Sequence, residues 1–255
     1  MKVKEIEEAL LCAGEDEIQA LMDTFRTDER ASVQNLIKKT ERRLEKEEKE
    51  RIRMKAMWDF EREAKEQGYR WIAGTDEVGR GPLAGPVVAA AVILPEDADL
   101  PEIKDSKKLS EKQRETLNIL IKEQAVAWSI AEISPEKIDE INILEASRLA
   151  MKLSVEDLKQ KADFVLVDGI PNPRIEGPSR AIVKGDNRSI SIAAASVIAK
   201  VYRDHLMEEY DKKYPGYEFA QNKGYPTESH MNAVRTIGPC PIHRMTFRPL
   251  NELEG

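Results

Sequence analysis

Residues 1–70 carry few apolar positions, and those positions recur at helical spacing. Short amphipathic segments run from Ile6 to Leu11 and from Ile18 to Phe25. A longer polar stretch begins at a capping region around Ser32 and stops at Gly68, which suits a C-terminal cap. The pattern predicts an N-terminal helical extension in which much of the long helix is solvated.

From Trp71 onward, short apolar runs alternate with amphipathic segments. The apolar runs predict strands at 72–73, 87–94, 125–133, 164–168 and 180–183. The amphipathic segments predict helices at 109–124, 134–158 and 190–210. Because strands come first and then interleave with helices, we predict an α/β fold over residues 71–255, with a mixed central β-sheet flanked by helices. The side chains expected in its core include Trp71, Trp128 and Met151.

Composition excludes several classes of protein. With 41% hydrophobic and 34% charged residues the chain is globular, and it has no apolar run of the roughly 20 residues that a membrane span requires. The acidic start lacks the features of a signal peptide, so we expect a cytoplasmic protein with no membrane association. The two cysteines, Cys12 and Cys240, support neither a disulfide framework nor a thiolate zinc site.

The net charge of −7 argues against a generally basic nucleic-acid binder. Basic residues are nevertheless concentrated between Lys104 and Arg114 and between Lys212 and Arg248. Taken alone, each run is more simply a solvated surface than a binding site.

Acidic residues recur where predicted strands end. Asp76 and Glu77 leave the first strand, Asp168 ends another, and Asp186 follows the strand at 180–183. Functional groups of α/β sheets gather at strand ends, and carboxylates without His or Cys suit a hard cation such as Mg²⁺ or Mn²⁺. Asp168 and Asp186 could also be ordinary turn or cap residues. Neighbours on a regular strand point to opposite faces, so Asp76 and Glu77 share one site only if the strand ends or bulges there.

The stretch GTDEVGRGPLAG, residues 74–85, superficially resembles a dinucleotide-binding loop. The glycine spacing is wrong, Pro82 interrupts it, and a strand follows where that motif requires a helix. We therefore exclude the dinucleotide interpretation. The Gly79-Arg80-Gly81 segment is better suited to exposing its backbone to a ligand, with a guanidinium available for a phosphate.

Together these motifs resemble the bacterial ribonuclease HII family. The similarity spans Trp71 to about Leu250 and leaves residues 1–70 outside it. The motifs that carry it, in chain order, are GTDEVGRGPLAGPVVAAAVIL, DSKKLS, FVLVDG, VKGD, AAASVIAKVYRD, NKGYPTESH and PIHR. Type III ribonuclease H is less similar, because the arginine between Gly79 and Gly81 is characteristic of type II. The resemblance implies an RNase H-like fold, with residues 71–255 as the catalytic domain.

It also implies an endoribonuclease that cuts the RNA strand of RNA–DNA hybrids and incises duplex DNA 5′ to single embedded ribonucleotides. The products would be 5′-phosphate and 3′-hydroxyl ends, and the role would be ribonucleotide removal during DNA replication and repair. A divalent metal, Mn²⁺ or Mg²⁺, would be the cofactor. The partners would be RNA–DNA hybrids and ribonucleotide-containing DNA, and the protein would act as a monomer.

The family's functional residues transfer motif by motif. The catalytic carboxylates and metal ligands would be Asp76, Glu77, Asp168 and Asp186. The substrate-binding residues would be Gly79, Arg80, Gly81, Lys107 and Tyr225. The loop 79–81 would contact the ribose 2′-hydroxyl, Lys107 a backbone phosphate, and Tyr225 the sugar on the 3′ side of the ribonucleotide.

Purely structural roles stay open for several of these residues. Tyr225 could be a packed turn residue and Lys107 a solvated helix-entry lysine. His230 and His243 could touch substrate, although structural hydrogen bonding is the simpler role. For the chain as a whole, the alternatives are a hybrid-binding module without catalysis and a metal-dependent phosphatase or exonuclease on the same fold.

Overall fold

The computed structural model describes residues 1–169 and 174–252. Its helices are α1 Val3–Cys12, α2 Glu15–Phe25, α3 Ala31–Ala56, α4 Asp59–Glu66, α5 Glu111–Gln124, α6 Pro135–Ile141, α7 Ile143–Glu156, α8 Ile190–Lys213, α9 Phe219–Asn222 and α10 Glu228–Ile237. Its strands are β1 Ile72–Val78, β2 Val87–Ile93, β3 Ala127–Ile133, β4 Phe164–Asp168 and β5 Ser179–Ile182. The chain forms two compact units, Met1–Lys55 and Ala56–Gly255.

The N-terminal unit is a small helical cluster with its own core. That core consists of Ile6, Leu10, Ile18, Met22, Val33 and Ile37, from α1, α2 and the first turns of α3. Farther along α3, exposed ion pairs such as Lys49–Glu45 and Arg51–Glu48 replace apolar contacts. Pairs of this kind stabilise a helix only slightly, so the second half of α3 depends on helix propensity more than on packing.

The C-terminal unit is built on a mixed five-stranded sheet in the order β3-β2-β1-β4-β5. Strand β2 is antiparallel to both β1 and β3, whereas β4 is parallel to β1 and β5 is parallel to β4. Every residue of β2 is buried, because α7 covers one face of the sheet and α8 the other. The predicted α/β class and mixed, helix-flanked sheet are confirmed.

Helix α8 lies very close to β1, and the sequence of both elements explains why. A Cβ atom at Gly74 would stand 2.2 Å from the carbonyl carbon of Ser191, so only glycine allows this approach. The facing part of α8 is the small-residue segment Ala193–Ala195, which is fully buried. The close packing holds the N-terminal half of α8 firmly against the strand that carries Asp76.

Two predicted helices are interrupted. The long helix expected to reach Gly68 stops at Ala56, and α4 begins at Asp59. The carbonyl of the buried Met57 accepts the N–H of Ile190 at 2.9 Å, a contact that only the tertiary fold provides. The helix expected over 134–158 is broken at Asn142, whose positive φ of 66° ends α6 and whose side chain caps α7.

Helix α4 belongs to the C-terminal compact unit and contributes a buried acid to it. Glu61 accepts hydrogen bonds from the Ser189 hydroxyl at 2.6 Å and from the Ser191 N–H at 3.1 Å, at the start of α8. Burial raises the pKa of this carboxyl. The division of the chain after residue 70 stays a prediction, since the compact units separate at residues 55 and 56.

One core prediction is wrong. Trp128 lies on the outer face of β3 with 38% of its surface exposed, and the Lys122 ammonium lies 4.7 Å from the centre of its ring. Met151 is buried as expected, and Trp71 is partly buried against the same cluster. None of the helices in the described part of the chain is long and apolar enough to cross a membrane.

Candidate active site

The predicted catalytic acids come together at one end of the sheet. Strands β1 and β4 run parallel with Thr75 opposite Val167, so Asp76 and Asp168 follow at the same end of adjacent strands. The Asp168 carboxylate accepts the N–H of Gly185 at 2.6 Å and that of Asp186 at 3.4 Å. These bonds attach the 3₁₀ turn that carries Asp186 to the end of β4.

Asp76 and Glu77 lie on opposite faces of the sheet. Strand β1 neither ends nor bulges at Asp76, because its register with β2 continues without a break to Val78. The strand end or bulge that would let Asp76 and Glu77 share one site is therefore not present in β1. Asp76 faces α8, where the Ser196 hydroxyl hydrogen-bonds to it. Glu77 faces α7 and lines a small cavity with Arg148 and Asp168. The pair can act together only around the end of the sheet.

Asp76 is the most strongly perturbed of these acids. Only 6% of its surface is exposed. Burial and the negative charges of Glu77, Asp168 and Asp186 raise its pKa well above the ordinary value for aspartate, while the Ser196 hydrogen bond opposes the shift. Its ionised form is therefore destabilised by desolvation and by repulsion from like charges.

The neighbouring acids share the same environment. Burial raises the pKa of Glu77, although Arg80, whose Nη1 lies 3.3 Å from the Glu77 Oε1, partly opposes the shift. Burial likewise raises the pKa of Asp186, and a hydrogen bond from the Asn187 side chain partly offsets it. The end of the sheet therefore concentrates negative charge that nearby cations neutralise only in part.

Lys107 is one of the cations near this cluster. Burial alone would lower its pKa, but the negative charges of Asp76, Asp105 and Asp186 raise it overall. Its ammonium group is thus close enough to the acids to interact with them. The preceding residue, Ser106, forms a buried hydrogen bond of 2.9 Å with Ser196, the residue that contacts Asp76. The DSKKLS segment therefore adjoins the acidic cluster.

The donor set can be compared with what a metal ion needs. Mg²⁺ and Mn²⁺ prefer carboxylate oxygens, and a cation placed among these acids would relieve the repulsion that, together with burial, raises the pKa values of Asp76, Glu77 and Asp186. Within the residues that the structure describes, no three or more His, Cys, Asp or Glu side chains are already drawn together into a metal-holding group. The acids fit a hard cation by type and by charge, but they do not form a closed coordination shell.

The segment Gly79–Gly81 lies beside the acids and adjoins Tyr225. Gly79 has a φ of 93°, and a Cβ atom there would meet the Nε of Arg203 at 2.3 Å. Gly81 is exposed, and a Cβ atom on it would lie 3.4 Å from the Tyr225 ring. Tyr225 as a whole is 42% exposed, so it is not the packed turn residue that was the alternative. Exposed backbone and an exposed ring therefore face each other.

Two buried arginines hold this loop from behind. Arg244 donates from Nη2 to the Gly79 carbonyl at 2.6 Å and to the Gly85 carbonyl at 2.7 Å. Its Nη1 donates to the Arg80 carbonyl at 3.1 Å. Arg203 donates to the carbonyls of Ala84 and Pro86, both at 3.0 Å. These fixed donors keep the loop in its unusual backbone conformation.

Comparisons with known proteins bear on the same elements. The family model described as Ribonuclease HII matches residues 73–249, and the model described as Ribonuclease HII N-terminal domain matches residues 2–65. The chain belongs to the ribonuclease HII family. Ribonuclease HII of Enterococcus faecalis is 50% identical over 251 residues, which cover 98% of each chain. That of Listeria monocytogenes serovar 1/2a is 52% identical over 225 residues, covering 88% of this chain and 86% of the relative.

A solved structure supports the same assignment. The crystal structure of ribonuclease H2 from Pyrococcus horikoshii superposes with a TM-score of 0.62 at 28% identity, covering 72% of this chain and 97% of that one. Membership of the ribonuclease HII family makes the chain a ribonuclease H endonuclease, a hydrolase that acts on nucleic acid. The predicted family and enzyme class are confirmed.

Within this ribonuclease HII chain, sequence reasoning missed the roles of Arg203 and Arg244. Both lie in motifs that carry the family resemblance, AAASVIAKVYRD and PIHR, yet no role follows from those motifs alone. One signal was present, because an arginine that ends a run of small apolar helix residues needs buried acceptors. His230 and His243 are buried and hydrogen-bonded to each other, in agreement with the structural role favoured for them.

Proposed function

We propose that this endonuclease cuts the RNA strand of RNA–DNA hybrids and incises duplex DNA on the 5′ side of a single embedded ribonucleotide. It would contribute to ribonucleotide removal during DNA replication and repair. One observation carries the proposal: a cluster of buried and half-buried, mutually repelling carboxylates lies beside an exposed glycine loop that faces an exposed tyrosine ring. The acids supply a place for hydrolysis, and the loop and ring supply a place for a sugar.

A divalent cation, Mg²⁺ or Mn²⁺, would be held by Asp76, Glu77, Asp168 and Asp186 at the end of the sheet, where Asp76 and Glu77 can reach it from opposite faces. When bound, it supplies the Lewis acidity that polarises a phosphate and lowers the pKa of water. The Ser196 hydroxyl holds the Asp76 carboxylate, and the N–H groups of Gly185 and Asp186 hold that of Asp168. Fixed carboxylates lose little freedom on binding a cation, which favours the site.

Hydrolysis breaks the bond between phosphorus and the 3′-oxygen of the preceding nucleotide. Water attacks the phosphorus, so the ribonucleotide keeps a 5′-phosphate and the preceding nucleotide gains a 3′-hydroxyl. Asp186, at the margin of the cluster, would complete the cation site or orient this water. The Lys107 ammonium would bind a backbone phosphate and draw it toward the acids.

Recognition of the ribonucleotide would depend on the loop and on Tyr225. The backbone of Gly79 and Gly81 and the Arg80 segment between them would contact the ribose 2′-hydroxyl and its phosphate. A 2′-hydroxyl is what distinguishes RNA from DNA at one position, and it can both donate and accept a hydrogen bond. The Tyr225 ring would stack on the sugar 3′ of the ribonucleotide.

A cleavage assay tests the proposal. Duplexes that carry one ribonucleotide, four ribonucleotides or none are incubated with the full chain in Mg²⁺ or Mn²⁺, and the product ends are mapped. Internal cuts on the 5′ side of the single ribonucleotide, with a 5′-phosphate on the downstream product, are expected. Trimming from an end would indicate an exonuclease, and binding without cleavage in either metal would indicate a hybrid-binding module.

Other properties stay predictions. We expect a monomer in the cytoplasm whose partners are nucleic acids. The role of the N-terminal unit can be tested by deleting residues 1–55 and measuring affinity and cleavage rate separately. A loss of affinity at unchanged turnover would assign that unit to substrate binding.

A further inference from the structure

The two elements that would read the sugar are both tied to one short segment, His243–Arg244. A β-bridge joins His243 to Ala84, with the Arg244 N–H donating to the Leu83 carbonyl at 2.8 Å. Adjacent side chains then diverge: Arg244 reaches the loop at 79–81, and His243 reaches toward Tyr225. The segment is therefore placed to set the distance between loop and ring.

On the loop side, most backbone carbonyl groups between Gly79 and Pro86 accept a hydrogen bond. Hydrogen bonds are accepted by the carbonyls of Gly79, Arg80, Leu83, Ala84, Gly85 and Pro86. Arg244 and Arg203 supply most of the donors, and both guanidinium groups are buried. Neither forms an ion pair with any residue in the described part of the chain. Their guanidinium groups instead donate hydrogen bonds to backbone carbonyls.

Burial lowers the pKa of Arg244 to about 9 and that of Arg203 to about 10, so both remain cationic at neutral pH. A planar guanidinium presents several N–H groups in fixed directions, which an ammonium cannot reproduce. Lysine at position 244 would keep the charge and lose the simultaneous hold on Gly79, Arg80 and Gly85.

On the tyrosine side, a chain of hydrogen bonds has only one consistent direction. The Tyr225 carbonyl can only accept, so the His230 Nδ1 that contacts it at 2.8 Å must carry the hydrogen. In a neutral ring the His230 Nε2 then accepts, and the His243 Nε2, 3.0 Å away, donates to it. The His243 Nδ1 is left to accept the Cys240 N–H at 2.9 Å and, without a hydrogen, cannot donate to the Cys240 carbonyl 3.1 Å away. Burial lowers the pKa of both rings, that of His243 to about 4, which keeps them neutral.

Aromatic packing fixes the two histidine rings of this hydrogen-bond chain, which runs from Tyr225 through His230 and His243 to Cys240. Phe219 stands edge-on to His230 with ring centres 5.3 Å apart, and Tyr217 packs on His243 at 5.1 Å. With both histidines held, the backbone of Tyr225 is held too. The ring then projects into solvent beside Gly81 from a rigid base.

We propose that Arg244 and His243 are positioning residues that set the gap between Gly81 and the Tyr225 ring, and that this fixed gap makes the site prefer a ribose to a deoxyribose. The inference rests on the proposed function. Neither residue touches the substrate, because both are buried behind the loop. Their effect reaches the sugar through the backbone that they hold.

The test measures discrimination in binding, without cleavage. In an Asp76→Asn background, Kd is measured for two duplexes that differ by one ribonucleotide, and the ratio of the Kd for all-DNA to that for the ribonucleotide duplex is calculated. Arg244→Lys should lower this ratio about tenfold or bring it to unity, which corresponds to one lost hydrogen bond to the 2′-hydroxyl. Arg235→Lys, an exposed arginine in the same unit, should leave the ratio unchanged.

A loss of folded protein changes both Kd values by the same factor and cancels in the ratio. An unchanged ratio in Arg244→Lys, with a parent ratio above unity, would overturn the inference and leave the proposed function intact. A parent ratio of one would instead contradict the proposed function itself.

The hydrogen-bond chain can be tested by NMR spectroscopy without any variant. The chain has three histidines, so long-range ¹H–¹⁵N spectra can be assigned, with His205 serving as the exposed reference. His230 should show the Nδ1–H tautomer and His243 the Nε2–H tautomer. The reverse tautomers, or rapid tautomer exchange at both rings, would show that the hydrogen-bond chain does not hold Tyr225.

Discussion

Replacing Asp76 with asparagine should abolish cleavage and, in the absence of divalent metal, make the protein more stable. Asp76 is buried among three other acids that raise its pKa, so its negative charge opposes folding. Asparagine has the same shape and removes the charge. Its side-chain oxygen can still accept the Glu77 N–H, which Asp76 accepts at 2.7 Å, and the Ser196 hydroxyl.

The size of the effect follows from these opposing contributions. Each pKa unit by which folding raises a carboxyl corresponds to about 1.4 kcal/mol of stability lost above the folded pKa. Because Lys107 already compensates part of the charge, we expect a gain of about 1–3 kcal/mol in the free energy of unfolding. An exposed control, Asp97→Asn, should change it by less than about 0.5 kcal/mol.

The pH dependence has a definite sign. A carboxyl whose pKa is raised in the folded state contributes its full stability below its unfolded pKa and loses it as the pH rises through the folded pKa. The advantage of Asp76→Asn should therefore be small near pH 3.8, the ordinary value for aspartate, and grow toward pH 8.

Urea unfolding followed by circular dichroism, with EDTA or with excess Mg²⁺, provides the assay. Metal at 100 times its Kd should stabilise the wild type by about 2.7 kcal/mol and the variant much less, which cancels or reverses the advantage of the variant. If Asp76→Asn is no more stable than the wild type in EDTA at pH 8, with equal m-values, the argument from charge repulsion is wrong.

Three further predictions concern residues around this cluster. Gly79→Ala should lower the free energy of unfolding more than Gly68→Ala. Both glycines have φ above 90°, but a Cβ atom at position 79 would also meet Arg203. Equal losses in urea titrations would show that backbone strain alone matters. Acidification from pH 6.5 to 4 should remove up to about 3 kcal/mol from the free energy of unfolding through His243, because a lowered pKa stabilises the fold only while the ring is neutral. His243→Gln should flatten this decline with falling pH. Tyr225→Ala should slow incision at a single ribonucleotide about tenfold while Tyr225→Phe retains the rate, consistent with stacking; equal defects would assign the role to the hydroxyl.

Much of this architecture could be predicted from local patterns. Apolar runs located the strands, because a strand covered on both faces must be apolar throughout, as β2 is. The acids at strand ends could be identified as a candidate site because functional groups of α/β sheets gather at strand ends, while turn or cap roles stayed open for Asp168 and Asp186 taken singly. The start of α5 is likewise encoded locally, because Ser110 forms a capping box with Gln113.

The tertiary structure decided what local patterns do not encode. The helix break after Ala56 depends on a hydrogen bond between Met57 and Ile190, and the hold on Gly79 depends on Arg244, 165 positions away. The assignment of Asp76 and Glu77 to opposite faces required the register of β1 against β2. The sequence by itself determined which residues could bear charge, turn or pack. Which of them meet was decided by the fold, because a buried donor or acceptor is satisfied by whichever partner packing brings to it.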